Sequence, residues 1–176
     1  MLSGEIALHY EDYVLSIQYF NQVIVLKPYL YRPWQYRGIA KFYLEDYSGA
    51  EYDVTQALKL NPYIDGLYDL RAIAYVRQDK YKEAIDDYTH AIRLNPQNAY
   101  LYYDRANFFA RQQDYAHAID DYTRAIEIDG HLAEAYYNRG VTRIMANDKK
   151  SGIADLSKAG ELGLYEAYSV IKRYSK

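Results

Sequence analysis

The sequence predicts an all-α chain of antiparallel helix pairs stacked in series. Three observations carry that expectation. The phrase YKEAIDDYTHAIRLNP from Tyr81 returns as YAHAIDDYTRAIEIDG from Tyr115, 34 residues on. Within each phrase, apolar and small residues recur at intervals of three and four, the period of a helix face. Aspartates and prolines punctuate the phrases at fixed offsets, where helices start and stop.

Taken in order, the phrase is legible five times: YVLSIQYFNQVIVLKP from Tyr13, YSGAEYDVTQALKLNP from Tyr47, the two copies above, and a worn KKSGIADLSKAGELGL from Lys149. Each copy follows a second phrase, clearest as YYDRANFFARQQD from Tyr102 and YYNRGVTRIMAND from Tyr136, which has its own helical spacing through Tyr102, Ala106 and Phe109. Each unit is thus two helices, and links as short as RQDK or RQQD force the second to run back along the first. The units fall at approximately 1–30, 31–64, 65–98, 99–132 and 133–164, with a closing helix over 165–176, and the whole is read as a single domain spanning 1–176. That last helix keeps its spacing through Ala167, Val170 and Tyr174 and finishes on Lys172, Arg173 and Lys176.

Asp12, Asp46, Asp114 and Asp148 stand where the second helices begin and are suited to capping their free amides. Pro28, Pro62 and Pro96 stand where those helices end, because proline cannot continue the hydrogen-bond ladder. Two columns stay small down the repeat: Gly4, Gly38, Ala72, Ala106 and Gly140 in the first helix, and Ala57, Ala91, Ala125 and Ala159 in the second. They let helices approach while Trp34, Tyr68, Tyr102 and Tyr136 fill the space beside them.

A 34-residue helix pair with aromatic, small, alanine and proline positions at these intervals resembles the tetratricopeptide repeat family. The YNRG-type phrasing and the 24 tyrosines resemble its bacterial members. The pattern departs at the ends, where Gly130 and Leu164 replace the proline, Gly152 replaces an alanine, and the first unit lacks its opening turn. The resemblance implies a right-handed superhelical solenoid whose first helices line a concave groove, and a role as a protein–protein interaction scaffold.

One column is peculiar to this chain. Arg37, Arg71, Arg105 and Arg139 stand where the family commonly has leucine, and Asp53, Asp87, Asp121 and Asp155 follow each at sixteen residues. The first unit has Ser3 and Tyr19 at the two places, so arginine and aspartate come and go together. The pattern predicts an Arg–Asp pair inside each repeat or between one repeat and the next; the competing reading is a row of arginines for an anion.

Composition excludes some functions. A net charge of −3 with mixed signs offers no positive field for nucleic acid. No apolar run approaches the roughly 20 residues that span a bilayer, and the start MLSGEIALHYED lacks the regions of a signal peptide. The compartment stays unknown, with the cytoplasm favoured if residue 1 is the true start. Absent cysteine removes thiolate chemistry. His9, His90, His117 and His131 lie in different units without metal-ligand spacing, so no metal is expected. Asp86 beside Asp87 and Asp120 beside Asp121 look like acid–base pairs, but they recur in equivalent copies, whereas a catalytic site converges on one place. No catalytic residue and no cofactor are expected.

What varies between units falls on one face of the first helices, the face that the resemblance places in the groove. It carries Arg32, Gln35, Tyr36 and Tyr43, then Asp69, Leu70 and Arg77, then Tyr100, Tyr103, Asp104, Asn107 and Arg111, then Glu134, Tyr137, Asn138 and Met145. Aromatics interleaved with Arg, Asp and Asn form the mixture enriched at protein interfaces, so a peptide or partner protein is the expected occupant. Ile39, Ile73, Val141, Phe42, Val76 and Ile144 are assigned to packing against a neighbouring first helix. Asn107, Asn138 and Lys172 match positions with which some family members grip a peptide's C-terminal carboxylate, but Tyr103 and Tyr168 stand where that clamp has lysines, which favours an internal segment. The alternatives are an assembly or spacer module that self-associates through an apolar end at Met1, Leu2 and Ile6, and a regulatory fragment of a larger protein.

Overall fold

A computed structural model describes residues 2–174. Met1 of the expected apolar end and Lys176 of the basic finish lie outside the described residues. Among the described residues there are eleven α-helices and no strand, and internal contacts divide the chain into two compact units, Met1–Asn95 and Pro96–Lys176.

The first unit holds α1 (Leu2–His9), α2 (Tyr13–Leu26), α3 (Tyr31–Tyr43), α4 (Tyr47–Leu60), α5 (Asp65–Val76) and α6 (Tyr81–Leu94). These pack as the pairs α1/α2, α3/α4 and α5/α6, and consecutive pairs touch through α2 against α3 and α4 against α5. The second unit holds α7 (Ala99–Arg111), α8 (Tyr115–Ile128), α9 (Ala133–Met145), α10 (Lys149–Glu161) and α11 (Glu166–Tyr174). Here α7/α8 and α9/α10 are the pairs, α8 packs on α9, and α11 closes against α10. Its Ala167 is buried beside Leu156 and Ala159.

The expected caps form: Asp12, Asp46, Asp114 and Asp148 accept from the backbone N–H of Leu15, Gly49, His117 and Ser151, at 3.0, 2.9, 3.4 and 3.2 Å. The third pair has Lys80 at that place, with no side-chain cap; its ammonium instead meets Glu51 at 2.6 Å. Helices α2, α4 and α6 stop two residues before each proline. The prolines also explain the aromatic column. Trp34 Nε1 donates to the Pro28 carbonyl at 2.9 Å, and the Tyr68 and Tyr102 hydroxyls reach those of Pro62 and Pro96 at 3.3 and 3.5 Å. One ring thus fills space and satisfies a carbonyl freed by the helix end.

The reversal inside each pair uses a device that the sequence conceals. Glu11, Glu45, Asp79, Gln113 and Asn147 all adopt left-handed backbone, with φ from 59 to 67°. Around Glu45, the Asp46 N–H reaches the Lys41 carbonyl and the Glu45 N–H that of Phe42, the paired bonds that end a helix in a Schellman turn. Glycine is the usual residue there, and its absence hid the turn.

The arginine column resolves as pairs inside the repeat. Arg37, Arg71, Arg105 and Arg139 each present Nε and Nη2 to both carboxylate oxygens of Asp53, Asp87, Asp121 and Asp155, at 2.6–2.8 Å. All four aspartates are buried. The remaining Nη1 of Arg37, Arg71 and Arg139 reaches back to the preceding pair, to Asn21 Oδ1, Thr55 Oγ1 and Thr123 Oγ1. Each such guanidinium therefore ties three helices together, and no row of free arginines is left for an anion. Trp34, Tyr68 and Tyr136 lie under the Arg37, Arg71 and Arg139 guanidiniums at 5.1, 5.7 and 5.5 Å.

Gly152, read as a lapse from alanine, is a packing requirement. A Cβ there would lie 2.6 Å from the Gly140 carbonyl oxygen, and one at Gly140 would lie 2.8 Å from that of Gly152. The two glycines let α9 and α10 touch backbone to backbone.

Candidate functional site

The site is built on α7 and α9, adjacent first helices of the second unit. Helix spacing brings Tyr103, Asn107 and Arg111 onto one face of α7, and Tyr137, Asn138 and Met145 onto one face of α9. All six line a cavity of 480 Å³, together with Ala110, Tyr115, Tyr122, Val141 and Thr142.

Tyr122 was invisible to the groove argument because it belongs to α8, a second helix. It is only 1% exposed, and its hydroxyl donates to Asn107 Oδ1 at 2.6 Å. Burial pushes its phenol well above the ordinary tyrosine value, so the group stays a donor. Asn138 Nδ2 donates to the same Asn107 oxygen at 2.9 Å and to the Tyr103 hydroxyl at 3.1 Å. The Tyr103 ring lies against that of Tyr122, with centroids 6.0 Å apart. Two tyrosines and two asparagines thus form one network across three helices.

Three of the residues assigned to packing make further contacts. Val141, assigned to helix packing, also lines the cavity. Phe42 meets Tyr47 of its own pair at 5.5 Å, and Ile144 lies against Gly152 of its own pair.

The other sequence candidates of this unit lie outside the cavity lining. Tyr100 is 58% exposed in the first turn of α7, and Glu134 is exposed near the start of α9. Asp104 is half-buried, and desolvation lifts its carboxyl to about 6. In the first unit, Tyr36 packs on Phe20 at 5.4 Å and Tyr43 stacks on Tyr13 at 5.1 Å. The Arg32 Nε donates to the Tyr31 hydroxyl, and the Arg77 guanidinium lies 5.9 Å from the Tyr47 ring. Gln35, Asp69 and Leu70 are half-buried.

Asp86 and Asp120 are exposed, whereas Asp87 and Asp121 are held by arginine, so neither adjacent pair forms an acid–base couple. The histidines are dispersed: His90 stacks on Tyr68 at 4.3 Å and His117 meets Asp114 at 2.7 Å. Among the described residues no cluster of His, Asp and Glu could hold a metal ion, and no helix is long and apolar enough to cross a membrane.

Residues 70–133 match a family model described as tetratricopeptide repeat. No curated protein matches the chain in sequence. Solved structures of low identity share the fold. MamA residues 41 to the end from Desulfovibrio magneticus RS-1 is 18% identical, over 93% of this chain and 92% of that one, with a TM-score of 0.85. YrrB, described as a TPR protein with an unusual peptide-binding site, is 18% identical over 96% and 88%, with a TM-score of 0.82. The C-terminal part of a TPR repeat-containing protein from Cytophaga hutchinsonii is 16% identical over 97% and 68%, with a TM-score of 0.90. Residues 70–133 thus match the tetratricopeptide repeat, and the chain as a whole shares the fold of these solved repeat structures.

Proposed function

We propose that the chain is a non-catalytic scaffold that holds a segment of a partner protein in the cavity between α7 and α9. One observation carries the reading: six side chains chosen on sequence for varying between repeats line a single open cavity, with rigid rings beside Arg and Asn. The peptide-binding site named for the similarly folded YrrB agrees with it. The test is capture from a lysate of the source organism, comparing the full chain with a Tyr137→Ala, Arg111→Glu double variant of equal melting temperature. A partner held by the unchanged chain alone supports the reading, and equal recoveries by both remove it.

A second reading, self-association, has its own observation. Leu2, Ile6, Tyr10 and Val14 are 71, 49, 78 and 58% exposed, apolar side chains that run from α1 through the following turn to the start of α2. If they join two copies, the mass in solution rises with concentration and Ile6→Lys holds it at that of the monomer; a mass that stays monomeric throughout ends this reading.

A further inference from the structure

Among the described residues, the first and last helices each carry a repeat position without its usual neighbour. Ala40, Ala74 and Thr142 are only 0, 1 and 4% exposed, on first helices against which α2, α4 and α8 pack. Ile6 stands at the same position of α1 and is 49% exposed.

Ser3 shows how that side of α1 differs. Arg37, Arg71 and Arg139 stand at the equivalent place, where each holds its own aspartate and reaches back to Asn21, Thr55 or Thr123 of the preceding pair. Ser3 is too short for either bond, and Tyr19 replaces the aspartate. The space is open instead: a cavity of 330 Å³ has Ser3, Ile6, Tyr10, Leu15 and Tyr19 in its lining. It therefore suits rings and lacks the arginine tie by which this repeat holds a preceding helix. The charges beside it are of one sign. From Leu2 to Leu26 every fully charged side chain is a carboxylate, Glu5, Glu11 and Asp12, with His9 the one base.

The last helix offers the complement. Arg173 falls in the arginine column, 34 residues after Arg139. The arginines before it each hold a buried aspartate. Arg173 and its neighbour Lys172 are exposed and join none of the ion pairs formed among the described residues. Tyr165, just before α11, and Tyr168 and Tyr174 within it are 74, 45 and 39% exposed. Ala167, Val170 and Ile171 hold the helix on α10, so its outer side presents rings and two cations.

We propose that this outer side of α11 docks on the α1/α2 cavity of a second copy, with rings against the apolar lining and Lys172 and Arg173 beside Glu5 and Glu11. One surface is aromatic and cationic, the other apolar and acidic, so each supplies what the other lacks. Two α1 surfaces meeting each other would bring carboxylates of like charge together. The contact is heterologous, so a copy whose α11 is engaged still offers its own α1 to another. The proposal rests on the self-association reading and names the two surfaces that meet.

The test is the mass of the full chain in solution, followed by light scattering over a concentration series. Ile6→Lys closes the α1 surface, and a Lys172→Glu, Arg173→Glu double variant reverses the charge of α11. All three side chains are exposed, so both variants are expected to fold, and melting curves check this. The unchanged chain is expected to gain mass with concentration, and added salt to weaken the association. Each variant alone is expected to stay at the 20.7 kDa of one chain. An equimolar mixture of the two should form a dimer and stop there, because each variant keeps one working surface and the two are complementary.

An α11 variant that gains mass like the unchanged chain, while Ile6→Lys stays monomeric, would mean that two α1 surfaces pair. That result overturns the proposal and leaves self-association standing, as does a mixture of two monomeric variants that remains monomeric. If Ile6→Lys also gains mass, or the unchanged chain is monomeric throughout, the proposal and the self-association reading both fall.

Discussion

Arg139 and Asp155 form a two-bond pair across α9 and α10, with Nε to Oδ2 at 2.8 Å and Nη2 to Oδ1 at 2.7 Å, and both residues are buried. Arg143 adds a third bond to Asp155 at 2.7 Å, and Arg139 Nη1 continues to Thr123 of the preceding pair. Removing one partner of such a pair leaves the other charge buried without compensation, while replacing both by apolar residues is far less harmful. Asp155→Ala is expected to lower unfolding free energy by about 3 kcal/mol, measured by urea denaturation. The Arg139→Leu, Asp155→Leu double variant should recover most of that loss, and failure to recover would mean that the pair is also a packing element that leucine cannot replace.

The glycine contact between α9 and α10 makes an unequal prediction for two alanine substitutions. At Gly152 a new Cβ meets the Gly140 carbonyl and Ile144, so Gly152→Ala is expected to destabilise by about 1–3 kcal/mol through overpacking. Gly66 in α5 has nothing within 4 Å of the place a Cβ would occupy, so Gly66→Ala should be neutral or stabilising by up to about 1 kcal/mol. Thermal melts of the two variants decide it.

The left-handed residues of the turns offer stabilising changes. Gln113 holds φ at 62° in the reversal between α7 and α8, and glycine adopts that conformation without the Cβ penalty of roughly 1 kcal/mol. Gln113→Gly is expected to raise the melting temperature, offset in part by the greater freedom of glycine in the unfolded chain. Gly163, at φ 105°, sits where side chains are strained, and Gly163→Ala should lower it.

Asp104 gives a pH dependence of defined sign. Desolvation lifts its carboxyl to about 6, above the unfolded value, so in the window between the two the native state binds more protons. Its contribution to stability is therefore greatest at low pH and falls as pH rises through about 6. Asp104→Asn should raise the melting temperature at pH 7.5 and change it little at pH 4, where the native carboxyl is already neutral. An equal change at both values would show that the side chain acts through packing alone.

The repeat, its two-helix unit, the caps, the helix stops and the partnership of Arg37 with Asp53 and its three equivalents were determined by the sequence itself. Each is either local in the chain or recurs at a fixed offset, so five copies make it visible without a structure. Tertiary structure alone decided the rest. The left-handed turns carry Glu, Asp, Gln and Asn in place of glycine, so no single residue type marks them. Gly152 looks like a worn alanine until the Gly140 carbonyl is found 2.6 Å from where its Cβ would stand. Tyr122 lies on the helix that the groove argument set aside, and Val141 shares its column with Asn107 but is apolar like Ile39 and Ile73, so its residue type pointed to packing and not to the cavity lining. The asparagine pair is the clearest case: Asn107 and Asn138 lie 31 residues apart, and only the packing of α7 on α9 brings their amides to 2.9 Å. A periodic sequence reports what every repeat shares; a site that depends on how two unlike repeats meet has no period, and is fixed by the distance between their side chains.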